Sequence, residues 1–328
     1  MAKVKNNKFW KNKTVLVTGH EGFLGSWLAK TLVERGAKVV GLDKVSGRKY
    51  SVLKDCRSKI VGIKGDVCDL GLVERIIKRF RPAVIFHLAA EAIVTEANKN
   101  PVKTFKSNIE GTWNVLEASR NKKFVEAVIA ASSDKAYGSH EKLPYREDAP
   151  LKGAHPYDAS KSCADLLCYV YHNTYGLPVC VTRCGNIFGP GDHHFSRIVP
   201  DAVNCAIRND TFYIRSDGTF TRDYIYVEDI VSGYMRLAEN LRKKRLHGEA
   251  FNFSNERPVS VLELVKLIYK MAGRKPQYKI LNSARHEIRD QYLSSGKARK
   301  YLGWKPEHGP AEGMLKTIEW YGNLAGNK

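Results

Sequence analysis

The sequence predicts an α/β protein: a doubly wound parallel sheet with a smaller C-terminal lobe for substrate. Three observations carry this expectation. First, residues 14–19 (TVLVTG) are a short apolar run, a glycine-spaced segment after them opens an amphipathic helix (SWLAKTLVERG), and a second apolar run follows at 37–43 (AKVVGLD), which makes a βαβ unit. Second, the alternation continues to about residue 185. Third, 328 residues exceed the usual size of one domain, so a large lobe plus a smaller one is expected.

In order, the pattern gives strands near 59–64, 83–90 (AVIFHLAA), 126–133 (EAVIAASS) and 178–184, and helices near 70–80, 101–120 and 157–175. After about Asn186 the rhythm changes to loops rich in Gly, Pro, His and Asp. The division expected is a cofactor domain over 1–185 and a substrate lobe over 186–328, with part of 224–255 returning to the larger lobe. Neither an internal repeat nor a low-complexity segment is present.

A content of 43% hydrophobic and 27% charged residues is ordinary for a globular chain. No apolar run approaches the roughly 18 residues of a membrane span. The opening MAKVKNNKFWKNK is basic but lacks the apolar stretch of a secretory signal, so a cytoplasmic protein is expected. Seven cysteines form no CxxC pair and have no His at zinc spacing, which predicts reduced thiols and no metal. The net charge of +20 suits nucleic acid, an anionic substrate or a basic surface. Lys and Arg are spread along the chain, with modest runs such as Arg242-Lys243-Lys244-Arg245, and no zinc-finger or RNA-recognition signature accompanies them. Nucleic acid and membrane are therefore not expected partners.

The turn VLVTGHEGFLGSWL places Gly19, Gly22 and Gly25, with Phe23 and Leu24 between the last two, from the first strand into the first helix. The first glycine permits a tight turn, the second lets backbone amides approach a pyrophosphate, and the third lets helix pack on strand. The helix N-terminus adds unpaired N–H groups and a positive dipole end. This is a Rossmann-type dinucleotide site, and Asp43, ending the second strand, stands where a carboxylate binds ribose hydroxyls. A carboxylate there repels a 2′-phosphate, favouring NAD over NADP, while Lys44 and Arg48 nearby argue the other way. Asp66-Val67, after the third strand, reads either as an adenine-edge contact or as an ordinary loop.

Tyr157 and Lys161 stand four apart in YDASK, so on a helix both point into one cleft. A phenol of ordinary pKa near ~10 is a poor base at neutral pH. A neighbouring ammonium and a cationic nicotinamide ring would favour the phenolate and bring that pKa down.

These segments together resemble the extended short-chain dehydrogenase/reductase superfamily, whose epimerases and dehydratases act on nucleotide sugars. The resemblance rests on GHEGFLG, HLAA at 87–90, Asn108 in SNIEGT, SSDKAYG at 132–138, YDASK, RCGNIFGPGD at 183–192, SRIVPD at 196–201 and RDYIYVEDI at 222–230. It implies that Leu88, Ala89, Ala90 and Asn108 join the cofactor site. It implies that Ser133 hydrogen-bonds the sugar's 4-hydroxyl beside Tyr157. It assigns Asn186, Arg197 and Arg222 to the substrate's diphosphate and nucleoside, where charge-assisted bonds from arginine suit a dianion. It also implies a homodimer formed by the helices near 101–120 and 157–175, whose apolar residues include Val115, Leu116, Leu166, Leu167 and Val170.

Ser133-Asp134-Lys135 bears on the reaction. The dTDP-glucose 4,6-dehydratases carry Thr-Asp-Glu at this triplet, and simple 4-epimerases carry uncharged residues. CDP-glucose 4,6-dehydratases are similar to this chain in having Lys at the third position, and their opening phrase resembles FWKNKTVLVTGHEGFLGSW. In such a reaction Lys135 would remove the hydrogen of carbon 5 and Asp134 would protonate the departing 6-hydroxyl. The C-terminal third, with RDYIYVED and HEIRDQYL at 286–293, looks more like generic epimerase/dehydratase members. A 4-epimerase or 2-epimerase using Tyr157, Lys161 and NAD is therefore the alternative. A catalytically idle NAD-binding regulator would need none of Tyr157, Lys161 and Ser133.

Overall fold

The computed structural model describes residues 8–48, 51–284 and 287–326. The first seven residues of the basic N-terminus and His286 of the HEIRDQYL stretch lie outside the described residues.

Seven parallel strands form the central sheet: β1 (Thr14–Thr18), β2 (Lys38–Asp43), β3 (Ile60–Lys64), β4 (Val84–His87), β5 (Ala127–Ala131), β6 (Val179–Cys184) and, after several smaller strands, β11 (Ala250–Phe253). Their order is β11-β6-β5-β4-β1-β2-β3. Val15, Leu16 and Val17 are each fully buried, so a strand covered on both faces reads as a continuous apolar run. Alternate residues serve opposite layers. Val15, Val17, Val39, Phe86 and Ile129 face one core, shared with α1 (Phe23–Glu34) and α8 (Val227–Asn240). Leu16, Val40, Ile85 and Val128 face the other, under α2 (Leu70–Phe80), α5 (Gly111–Ser119) and α6 (Pro156–Tyr175).

The chain enters mid-sheet, builds β2 and β3 to one side and β4 onward to the other. The direction therefore reverses between β1 and β4, and a crevice opens at their carboxyl ends. Residues 83–90 form a shorter strand than their apolar character predicts, because the ladder ends at His87 and Leu88–Ala90 turn into that crevice. Ser132 and Ser133 likewise leave the sheet after Ala131. The helix expected over 101–120 is present and runs continuously as α4 (Pro101–Phe105), one π turn over Lys106–Glu110 and α5, with a separate short helix, α3 (Val94–Lys99), before it. Such bulges accommodate an extra residue and cluster at functional sites.

The later residues add β7 (Asn186–Phe188) paired with β10 (Tyr224–Tyr226), β8 (Phe212–Ile214) paired with β13 (Tyr278–Ile280), and a three-stranded piece of β9 (Thr221–Arg222), β12 (Val259–Ser260) and β14 (Asp290–Gln291). A third core, including Phe188, Val203, Val265, Ile268 and Met314, lies among α7 (Ile198–Arg208), α9 (Val261–Met271) and α11 (Pro310–Gly326). Between β10 and β11, α8 packs on α1. Among the described residues no helix is long and apolar enough to cross a membrane.

Candidate active site

A cleft of about 690 Å³ opens at the carboxyl edge of the sheet, between the glycine turn and the smaller strands. Gly19 has φ +75°, and a Cβ there would lie 2.8 Å from the backbone nitrogen of Ala89. A Cβ on Gly25 would stand only 2.0 Å from the Gly19 carbonyl oxygen. Helix α1 starts from Gly22 with no side-chain cap, so its first-turn N–H groups remain for a ligand in the cleft. Bare backbone, positive dipole and a lining of Phe23, Leu24, Val67, Leu88, Ala89 and Ala90 fit a dinucleotide.

Asp43 lines the cleft, and its carboxylate accepts the N–H of Glu21 at 3.0 Å and of Val45 at 3.2 Å. Asp66 is not part of the lining: it pairs with Lys44 at 3.0 Å and accepts the Cys68 N–H. Lys44 itself lines the cleft, half-exposed, with this carboxylate as its ion-pair partner. Sequence reasoning missed Glu21, whose buried carboxylate accepts from Gly47 N–H at 3.1 Å and from the Arg57 guanidinium, clamping the segment after Asp43 against the glycine turn.

Asn108 sits one layer behind the cleft. Its amide oxygen accepts Glu91 N–H at 2.7 Å, and its nitrogen donates to the Glu91 carbonyl at 3.1 Å and to the Ser160 hydroxyl at 2.9 Å. Its polar atoms are thereby committed to protein groups, and it orders the wall rather than forming its surface.

Tyr157, Ser133, Asp134, Lys135, Lys161, Asn186, Arg197 and Arg222 all line the cleft. The Ser133 hydroxyl hydrogen-bonds the Tyr157 phenol and donates to Asp134 Oδ1 at 2.9 Å. Lys135 Nζ stands 3.3 Å from both Asp134 Oδ1 and Asn186 Oδ1. Lys161 Nζ donates to the Ala131 carbonyl at 2.8 Å, 6.0 Å from the centre of the Tyr157 ring. Burial pushes this ammonium down to about 8, with the Asp165 carboxylate opposing.

The lowering expected for the Tyr157 phenol depends on a cationic nicotinamide as well as on Lys161, and the protein's own groups do not produce it. Burial pushes the phenol up to about 12, against the Ser133 hydrogen bond and the positive charge of Arg197. The physical reason is desolvation of the phenolate on burial.

Two further groups escaped the sequence. Asp158 is buried, lines the cleft beside Lys135 and Asp134, and its carboxyl is pushed up to about 6 by burial, with Lys135 and His155 opposing. Arg183 binds Asp165 through two bonds, Nε to Oδ2 at 3.1 Å and Nη2 to Oδ1 at 3.0 Å, and Ser132 donates to the same carboxylate. Among the later residues Arg197 pairs with Asp192 at 3.0 Å, and Arg222 is aimed by the carbonyls of Thr221 and Arg289, each at 2.8 Å.

The model of the NAD dependent epimerase/dehydratase family matches residues 15–253. A CDP-glucose 4,6-dehydratase of Salmonella typhimurium is 30% identical over 333 residues, covering 96% of this chain and 92% of that protein. A UDP-glucose 4-epimerase of Mycolicibacterium smegmatis is 31% identical over 312 residues, covering 94% and 98%. The crystal structure of a dTDP-glucose 4,6-dehydratase from Streptomyces venezuelae, with NAD bound, superposes with a TM-score of 0.87 at 27% identity, covering 95% of this chain and 98% of that one. The family model spans the glycine cradle, Asp43 and the Tyr157–Lys161 helix, and the chain belongs to the NAD dependent epimerase/dehydratase family, with NAD as its cofactor.

Proposed function

We propose that the protein is a nucleotide-sugar 4,6-dehydratase acting on a CDP-glucose-like substrate and releasing a 4-keto-6-deoxy sugar nucleotide. The observation that carries this reading is the charged pair in the cleft: Lys135 Nζ lies 3.3 Å from Asp134 Oδ1, a few residues beyond the strand that leads to Ser133. Hydride transfer alone needs no such pair.

Bound NAD supplies the hydride acceptor for carbon 4 and the hydride donor for carbon 6. Tyr157, held by Ser133, takes the proton of the 4-hydroxyl. Lys161 places a cation in the same wall and holds its position through Ala131. The new ketone acidifies carbon 5; with the proton of the pair passed from Lys135 to Asp134, the neutral Lys135 amine takes the carbon-5 proton while the Asp134 carboxyl gives its proton to the 6-hydroxyl and water departs. Asn186, Arg197 and Arg222 would hold the diphosphate and nucleoside.

A 4-epimerase, or a 2-epimerase, is the second reading, favoured by the likeness to the Mycolicibacterium smegmatis enzyme; it needs only Tyr157, Lys161 and the cofactor. We also read the protein as a cytoplasmic homodimer joined along α4–α5 and α6. Val102, Trp113, Leu166, Tyr169 and Val170 are exposed on these helices and support a shared apolar face. Val115 and Leu116, taken from the sequence as part of that face, lie instead in the core, and Leu167 packs half-buried against it.

Incubation with CDP-, dTDP- and UDP-glucose, followed by mass analysis, tests the reaction. Loss of one water supports the dehydratase. Unchanged mass with an altered sugar establishes the epimerase.

A further inference from the structure

The charge of the chain, diffuse along the sequence, gathers in space. Because all seven strands are parallel, every connection that enters a strand lies on the edge opposite the cleft. Five such connections, residues 8–13, 35–38, 78–83, 120–126 and 241–249, contain 15 of the 54 Lys and Arg but only 2 of the 34 Asp and Glu. That difference of 13 makes up most of the net +20, in about a tenth of the residues.

The connections form one surface. Asn12 N–H donates to the Gly36 carbonyl at 2.8 Å, Ala83 N–H to Thr14 at 2.9 Å, and Glu126 N–H to Ala83 at 2.7 Å. Trp10 joins the first of them to the end of α8 by its bond to Glu239. Cations at helix C-termini are expected from the helix dipole, and Lys78 and Arg79 in the last turn of α2 fit that account. Lys122, Lys123, Arg242 and Lys243 do not, since they are exposed and lie beyond the ends of their helices. Among the described residues none of these four forms an ion pair with a carboxylate.

We propose that this edge is a docking surface for anionic lipid headgroups, bound peripherally by charge, with the cleft facing away from the bilayer. Charge complementarity carries the choice of partner. With strands spaced about 4.8 Å apart, the basic connections from β11 to β2 spread over roughly 25 Å. A field of short cationic loops of that breadth suits a plane of headgroups, where each Lys or Arg strengthens binding about 5-fold. Nucleic acid is less well served. Single strands need aromatic platforms, and here Phe80 and Phe124 are packed against the core while Arg120 lies over Tyr175.

The test is flotation with vesicles of phosphatidylcholine alone, or with about a third phosphatidylglycerol, at roughly 50 and 500 mM salt. The protein should float with the anionic vesicles at low salt, stay unbound with the neutral ones, and be released at high salt. The quadruple variant Lys122→Glu, Lys123→Glu, Arg242→Glu, Lys243→Glu should lose at least ~20-fold in vesicle affinity. Its NAD affinity and turnover should match the unmodified protein, which checks folding. Failure to bind anionic vesicles at low salt, equal binding to neutral ones, or unchanged binding by the variant overturns the proposal. So does tighter binding to a DNA duplex than to the vesicles at near-physiological salt.

Discussion

The side-chain nitrogen of Asn108 donates to the hydroxyl of Ser160 at 2.9 Å, and that hydroxyl donates in turn to the carbonyl of Tyr157 at 2.6 Å. The other Asn108 bonds run to the backbone of Glu91. One amide, set in the π turn over Lys106–Glu110, thus ties the segment after β4 to the first turn of α6. Asn108→Ala should leave a buried N–H without a partner and cost about 1–3 kcal/mol in urea unfolding. A shift of the Tyr157 helix should also lower kcat by about 10–10²-fold while NAD affinity falls far less. Equal losses in kcat and NAD affinity would place Asn108 on the cofactor itself.

Hydride transfer and elimination can be separated at Asp134 and Lys135. Tyr157→Phe removes the acceptor of the first proton and should abolish turnover of either kind. Asp134→Asn and Lys135→Met should still let substrate reduce bound NAD, giving a persistent NADH absorbance. In a dehydratase they should slow formation of the 6-deoxy product by ~10²–10⁴-fold, the usual loss for one general acid or base. Near-normal turnover in both would reduce the pair to a loop feature and favour the epimerase.

Much of this was readable before the structure, for identifiable reasons. A sheet covered on both faces turns into runs such as TVLVT, and the glycine turn and the i, i+4 pair of Tyr157 and Lys161 are local in sequence. What was hidden depends on strand order. Arg183 meets Asp165 because β6 runs beside α6, and Lys122 joins Lys11 in one field because β5, β4 and β1 are neighbours. Strand ends misled too: AVIFHLAA stays apolar past His87 because Leu88–Ala90 line a cleft, a role that periodicity does not distinguish from a ladder. The phenol of Tyr157 illustrates a third gap, since a motif names its cationic neighbour but not the burial that outweighs it.

Cofactor choice should rest on Asp43. Removing the carboxylate leaves Lys44, ion-paired with Asp66, and Arg48 as the cations of the lining nearest in sequence. Asp43→Ala should weaken NAD binding by about 10-fold or more and narrow the gap to NADP, as measured by cofactor fluorescence. Tighter binding of NADP than NAD by the unmodified protein would contradict this.

Assembly should respond to the exposed apolar residues on α6. Leu166→Asp with Tyr169→Asp places two charges on a face that the subunit itself does not cover. Light scattering at micromolar concentration should give a dimer for the unmodified protein and a monomer for the variant, with the thermal midpoint of the separated subunit lowered. A monomeric unmodified protein would refute the shared face.

Acid sensitivity should trace to His87. Its ring is buried between the hydroxyls of Thr18, at 2.8 Å, and Thr112, at 3.1 Å, and burial together with the charge of Lys161 lowers it to about 3. A histidine with a depressed pKa is neutral in the folded chain while the unfolded chain takes up a proton below about 6.5. The unfolded state therefore binds more protons between pH 6.5 and 3, and stability falls as pH drops through that window. By about pH 5 the loss from this one group reaches about 2 kcal/mol relative to neutral pH. His87→Gln keeps a polar partner for the two threonines but cannot titrate. Urea unfolding at neutral pH and at about pH 5 should show a drop for the unmodified protein that is about 2 kcal/mol larger than for the variant. Parallel losses in the two proteins would mean that His87 already carries its proton in the folded state.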